Sequence, residues 1–328
     1  MALKADVARE YRTKHPDMPT LKLARIMYNK NVELFIDIED ARKRLRYIEG
    51  KNGDSNRKGM KKSELIKTEA RPYNPYNLPE SDETIYEPYK LTGHKRVALF
   101  SDIHIPYHSI TALTAAMAYA KKEKVDALVL NGDALDFHGL SRFQKDPRKK
   151  HFFEELETWR KMFDSFSKVL NCKIYYKIGN HEERYEHYLW MKAGELVGVE
   201  EFELSALLQA RARGIEVISE KRIIQANGLN ILHGHEFGMS VFSPVNIARG
   251  LYMKGKVSAI QGHNHQVSEH TEPDMNGRIV TTWSQGCLCE LHPAYLPINK
   301  WAHGFAIVDL HGEDFEVRNK RIYKGKIL

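Results

Sequence analysis

The rhythm of apolar and polar positions changes twice along the chain. Up to Gly50 apolar residues recur at helical spacing. In "LKLARIMYNK" Leu23, Ile26 and Met27 fall on one side, with Thr20 placed to cap and Lys30 at a polar exit. After "NVELF", Asp37 is placed to cap a second helix through "IEDARKRLRYIEG". There Ile38, Ala41, Leu45 and Ile48 share one side, Arg42, Lys43 and Arg46 project elsewhere, and Gly50 supplies the stop. From Lys51 to Thr92 the rhythm vanishes. "KNGDSNRKGMKK" is polar, and "RPYNPYNLPESDETIYEPYK" interleaves four prolines with four tyrosines. Proline fixes φ and removes donors, so this stretch reads as extended; its tyrosines argue that it packs on the following domain.

From His94 onward strands and helices alternate. "KRVALFSD", "VDALVLNGD" and "CKIYYKIGN" read as strands, and "SITALTAAMAYAKKE" and "HFFEELETWRKMFDSFSKVL" as helices. The second helix places Phe153, Leu156, Trp159, Phe163 and Phe166 on its buried side. Later, "IEVISEKRIIQANGLNILHG", "IVTTWSQGCLC" and "FAIVDLHGEDFEV" read as hairpin-linked strands, with Asn227-Gly228 as a two-residue turn. The expectation is an α/β fold: two packed sheets with helices outside. The domains expected are a basic helical segment over 1–50, an extended linker over 51–95 and the α/β domain over 96–328.

Composition changes this picture in two places. No apolar run reaches the roughly 18–20 residues of a membrane helix. "MALKADVARE" lacks the apolar core of a signal peptide, so the expected setting is the cytoplasm, with no membrane partner. Three cysteines (Cys172, Cys287, Cys289) are too few for a disulfide framework, and the lone C-x-C reads as packing, with a redox or metal role as the alternative. Charge is uneven. Residues 1–70 hold 17 Lys and Arg against 11 Asp and Glu, whereas the other 258 residues hold 33 against 32. A basic front end on a neutral body points to nucleic acid, DNA first, with Arg42, Lys43 and Arg46 as candidate contacts. The two-helix outline is that of a helix-turn-helix; a small bundle with a solvated basic face, or an arm docking another subunit, has the same outline.

The polar residues gather where apolar runs end. "VALF" stops at Asp102-Ile103-His104, "ALVLN" at Gly132-Asp133-Ala134-Leu135-Asp136, and "IYYKI" at Gly179-Asn180-His181-Glu182. "LNIL" stops at His233-Gly234-His235, and "VSAIQ" at Gly262-His263-Asn264-His265. The carboxyl ends of parallel strands share one edge, so these loops converge on one crevice, with glycine easing each turn. The donor set is Asp, Asn and His without cysteine, which suits manganese, iron or zinc. One shared carboxylate with about six further ligands fits two ions roughly 3.5–4 Å apart, able to clamp a phosphoryl group for in-line attack.

These five motifs, in this order over residues 96–310, resemble the signature of calcineurin-like metallophosphoesterases, in particular phage- and prophage-encoded ones with a basic N-terminal extension. The resemblance implies an α/β/β/α sandwich and two divalent ions: manganese first, with iron, zinc or nickel as alternatives. It assigns Asp102, His104 and His265 to one ion, Asn180, His233 and His263 to the other, and Asp133 to both. His181 would be the catalytic histidine, Asp136 its support, and a metal-bridging hydroxide the attacking group. The family's H-G pattern favours His233 over His235. The protein phosphatases of this superfamily follow the second motif with Asp-Arg-Gly, where this chain has "GDALDFHG", so a phosphoprotein substrate is disfavoured. Arg142, Arg184 and Arg249 are candidates to grip phosphate, Arg184 first because it lies three residues past His181. The leading expectation is a phosphodiesterase or nuclease acting on nucleic acid, as a monomer or an oligomer. A phosphomonoesterase or cyclic-nucleotide phosphodiesterase, or a DNA-binding protein with a vestigial site, are the alternatives.

Overall fold

The computed structural model describes residues 2–15, 18–49, 75–76, 79, 86–142, 152–219, 221–238 and 245–328. Most of the stretch read as a linker, and Gly50, lie outside them. The chain falls into two compact units.

Among its described residues the first unit holds three helices: α1 (Ala2–Lys14), α2 (Thr20–Lys30) and α3 (Ile38–Ile48). Ala8, Leu23, Ala24, Met27, Phe35, Ala41, Leu45 and Ile48 form its apolar core. Asp37 caps α3, accepting the Asp40 N–H at 2.7 Å. Thr20 does not cap α2; the cap position is Pro19, and Thr20 is the first helical residue. Its hydroxyl instead lies 3.0 Å from Glu49, which pairs with the buried Arg12. Helix α1, absent from the sequence reading, supplies that arginine, whose guanidinium also donates to the carbonyls of His15 and Met18.

In the second unit β1 (Tyr89–Lys90) is followed by β2 (Arg96–Phe100), α4 (Ile110–Lys122), β3 (Ala127–Asn131), α5 (Phe152–Leu170), β4 (Lys173–Lys177), α6 (Glu183–Lys192), α7 (Leu204–Leu207) and β5 (Glu216–Ile218). Then come β6 (Ile224–Ala226), β7 (Leu229–Leu232), α8 (Ile247–Gly255), β8 (Ala259–Gln261), β9 (Ser268–Pro273), β10 (Ile279–Ser284), β11 (His303–His311), β12 (Asp314–Tyr323) and β13 (Lys326–Ile327). Among the described residues seven strands form one sheet in the order β13-β12-β11-β2-β3-β4-β5, and six the other in the order β1-β6-β7-β8-β10-β9.

Alternation along the strands builds the layers, because successive side chains point to opposite faces. Val97, Leu99, Ala127, Val129, Ala306 and Val308 face the second sheet and meet its Ile224, Ala226, Ile231 and Ile260. Their neighbours Ala98, Phe100, Leu128, Leu130, Phe305 and Ile307 face outward under α4 and α5. On the far side, α8 covers Leu232 and Ala259 with Leu251. The architecture is the expected α/β/β/α sandwich.

Three local expectations are corrected. Phe153 is 63% exposed, while Leu156, Trp159, Phe163 and Phe166 are buried. Strand β5 does not join a hairpin; it pairs in parallel with β4 at the end of the first sheet. Tyr89–Lys90 is a strand, pairing in parallel with Ile224 and Gln225. The Asn227-Gly228 turn does link β6 to β7, both residues having positive φ. None of the described helices is long and apolar enough to cross a membrane.

Candidate metal centre

Strands β2, β3 and β4 run parallel, so Asp102, Asp133 and Asn180 leave the same edge of the first sheet. Strands β7 and β8 are parallel in the second sheet and deliver His233 and His263. Backbone bonds zip these loops together: Asp102 N–H to Gly132 O at 3.1 Å, His104 N–H to Asp133 O at 2.9 Å, and Gly262 N–H to His233 O at 2.9 Å.

Asp102, His104, Asp133, His263 and His265 all have left-handed backbone, with φ between 49° and 65°. Non-glycine residues avoid this region at a cost of order 1–3 kcal/mol each, and such strain concentrates at functional sites. The motif glycines serve closeness as well as turning. A Cβ on Gly132, whose φ is +84°, would strike the His233 ring. Gly179 and Gly262 have ordinary φ; there a Cβ would collide with the carboxylates of Asp133 and Asp102.

Two groups of donors result. In the first, His265 Nε2 lies 3.1 Å from Asp102 Oδ1 and 3.2 Å from His104 Nε2. In the second, His233 Nε2 lies 3.2 Å from Asp133 Oδ2 and 3.2 Å from Asn180 Oδ1, and His263 joins Asp133 and His233 within 4.8 Å. Asp133 faces both, its Oδ2 being 3.9 Å from His104 Nε2. His235 does not enter; its Nε2 is 3.0 Å from Glu183.

This arrangement fits divalent cations. Donors held about 2.1 Å from one ion stand about 3.0–3.4 Å from each other, which is the spacing seen. His233 Nδ1 faces the Asn131 carbonyl at 2.8 Å and His104 Nδ1 faces Asp136 Oδ1 at 3.0 Å, which turns both Nε2 lone pairs to the cluster. Asp102 and Asp133 are 0% and 1% exposed, and buried carboxylates need compensating charge. Burial alone would lower the His233 and His265 imidazoles; Asp133 and Asp102 beside them raise them to about 10 and about 9. Burial, joined by the charge on His233, takes His263 down to about 4.

His181 sits at the rim. Its Nδ1 is 3.0 Å from Asp136 Oδ1 and its Nε2 is 3.8 Å from Asp133 Oδ2. Burial would raise the Asp136 carboxyl, but hydrogen bonds from His104 and His181 hold it well below the usual range. Asp136 therefore stands ionised between a candidate ligand and the candidate catalytic ring. Arg184 donates to His181 Nε2 at 2.8 Å and to the Asp136 carbonyl at 2.7 Å; Arg142 and Arg249 are exposed.

Three contributors escaped the sequence reading. Glu182 accepts the N–H groups of Asp133, Leu135 and Gly179, each at 2.9 Å, and the Tyr176 hydroxyl at 2.8 Å. Glu236 accepts from His233 and Gly234 and pairs at 2.8 Å with Lys177, itself fully buried. Both are the acidic residues ending Gly-Asn-His-Glu and His-Gly-His-Glu, which was the available signal. The third is Cys289, read first as packing, whose sulfur lies with the ring nitrogens of His104 and His265 at the edge of the donor set.

The calcineurin-like phosphoesterase family profile matches residues 95–285. The chain is 29% identical over 233 residues to the Gene 54 protein of Mycobacterium phage L5, covering 67% of this chain and 90% of that protein. It is 27% identical to the Gene 54 protein of Mycobacterium phage D29, covering 66% and 90%. Among solved structures, Vacuolar Protein Sorting 29 from Cryptosporidium parvum aligns over 72% of this chain and 95% of its own, at 13% identity and TM-score 0.40. The profile covers more than half of the sequence and all five loops: the protein belongs to the calcineurin-like phosphoesterase family and is a hydrolase of phosphate esters.

Proposed function

We propose that the protein is a binuclear phosphodiesterase acting on nucleic acid. The observation that carries the binuclear reading is Asp133, which faces His104 on one side and His233 on the other. One ion would be held by Asp102, His104 and His265, the other by Asn180, His233 and His263. Manganese, or iron, zinc or nickel, bound there supplies Lewis-acid charge and activates water for in-line displacement.

The chain's own groups do the rest. Asp136 fixes the His181 ring through Nδ1; once Arg184 turns from Nε2 onto the substrate, that nitrogen can carry a proton and hand it to the departing oxygen. Arg184 lies beside that nitrogen and, turned onto the substrate, pairs two phosphoryl oxygens at once. The excess of lysine and arginine over residues 1–70 favours a polyanionic substrate over a small one.

A substrate panel with Mn²⁺ tests this reading: single- and double-stranded DNA, RNA, cyclic nucleotides, phosphoprotein and an aryl phosphodiester. Hydrolysis of nucleic acid and of the aryl diester is expected. Turnover of cyclic nucleotides or phosphomonoesters with DNA and RNA left intact overturns the substrate assignment.

A further inference from the structure

We infer that Cys289 is a thiolate ligand of the cation held by His104 and His265, and that this subsite selects a thiophilic ion such as zinc, iron or cobalt over manganese. The inference rests on the metal-centre reading above and adds a ligand and a selectivity to it.

Distance comes first. The sulfur of Cys289 and one nitrogen each of His104 and His265 all lie within 4.8 Å of one another. Neighbouring nitrogen and sulfur donors of one zinc ion stand about 3.5 Å apart, so the three are nearly gathered before any ion draws them in.

Placement comes second. The segment 287–290 is fastened on both sides by backbone bonds. Leu288 N–H donates to the Asp102 carbonyl at 3.0 Å, Ser109 N–H to Leu288 O at 2.8 Å, and Glu290 N–H to Tyr107 O at 2.7 Å. Cys287 N–H donates to Ala302 O at 3.0 Å, and Ala302 N–H to His265 O at 2.8 Å. His303 Nε2 holds the Cys289 carbonyl at 2.8 Å. These bonds tie Cys289 to the loops that carry Asp102, His104 and His265, so its thiol has little freedom to leave them.

Surroundings come third. Leu288 belongs to the apolar core under the helices. The side chain of Cys289, one residue on and 3% exposed, joins no apolar cluster among the described residues. A buried thiol that lies beside two imidazoles, with the Cys287 thiol as its hydrogen-bond neighbour, is placed for coordination, and a cation deprotonates it on binding. Sulfur ligation favours zinc or iron over manganese, whereas imidazole with oxygen ligands leaves all three open. The subsite of Asn180, His233 and His263 lacks sulfur among the described residues, so the two positions differ in preference.

Cobalt substitution reads this out directly, because a thiolate bound to Co²⁺ gives a near-ultraviolet charge-transfer band that imidazole and carboxylate do not. The full-length protein is loaded with Co²⁺, its cobalt content measured, and spectra compared with Cys289→Ser, Cys287→Ser and Cys172→Ser. The expected result is a band in the wild type that survives Cys287→Ser and Cys172→Ser and is lost in Cys289→Ser. If Cys289→Ser fails to hold cobalt, survival of the band in the other two variants still assigns it. A cobalt-loaded wild type without the band overturns the ligand while sparing the centre, as does a band that persists in Cys289→Ser. A wild type that takes up no cobalt overturns both.

Discussion

Glu182 accepts the backbone N–H of Asp133 at 2.9 Å, tying the loop after β4 to the loop after β3. The carboxylate is 1% exposed, and water cannot replace it as an acceptor. Burial and the neighbouring Asp133 charge raise its pKa, so it is held at a cost that the bonds from Asp133, Leu135, Gly179 and Tyr176 offset.

Glu182→Ala strands three backbone donors and a phenol in the interior. A buried unsatisfied group costs about 1–3 kcal/mol, so urea unfolding should show a loss of at least about 3 kcal/mol. Glu182→Gln keeps an acceptor oxygen and should lose less. Equal midpoints for Glu182→Ala and wild type would mean that these loops are held by other contacts.

His181→Asn tests chemistry rather than assembly. The ring lies beside the donor groups with its Nδ1 on Asp136, so the variant should retain its metal complement. Loss of a general acid lowers the rate roughly 10²–10⁴-fold. The loss should shrink for nitrophenyl esters, whose leaving group needs little protonation. Metal analysis beside kinetics on aryl and alkyl esters checks both halves; an identical loss on the two esters excludes the acid role.

Glu155 predicts a pH dependence of stability. Burial, reinforced by the charge of Asp136, raises its pKa to about 8, while its oxygen accepts the Phe137 N–H at 2.8 Å. The folded state therefore keeps a proton that the unfolded chain gives up from about pH 4.5. This contribution is fully present below that pH and lost as pH rises through about 8, at up to about 1.4 kcal/mol per unit. Glu155→Gln should flatten the decline in denaturation midpoint across that window; an unchanged profile would assign the decline to other groups.

Replacing Arg42, Lys43 and Arg46 together by Gln tests the front end. If these side chains meet phosphates, the dependence of log affinity for DNA on log salt should flatten by about 0.9 for each contact removed. Turnover of a small aryl phosphodiester should stay constant, since no metal motif precedes Asp102. An unaltered slope with an altered molecular mass would make the segment a docking arm.

What the sequence disclosed depended on how local the cause was. The Asp37 cap needs one side chain and an N–H three residues on, and the Asn227-Gly228 turn needs two positive φ values. The metal motifs were legible because each interrupts an apolar run with groups a core would refuse. Phe153 misled because its helical phase matches the buried stripe, yet it lies in the first turn of α5. The place of β5 was hidden because parallel pairing leaves no turn between partners. Cys289 was hidden for a related reason: it reaches His104 through a bridge between His108 and Cys289 that no local pattern encodes. Glu182 and Glu236 spend their oxygens on backbone N–H groups, for which sequence has no mark.

Asp102 extends from the seven-stranded sheet, and His265, 3.1 Å away, from the six-stranded one. The leaves of the sandwich are pressed together by hydrocarbon along their length and are joined by polar contacts at one mouth. Hydrocarbon contact resists separation but tolerates sliding, since it has no preferred register. A directional polar clasp at one end removes that freedom. A shift of one leaf against the other by a single residue would put a ligand loop out of reach, so the same contacts that gather the donors also set the alignment of the two sheets.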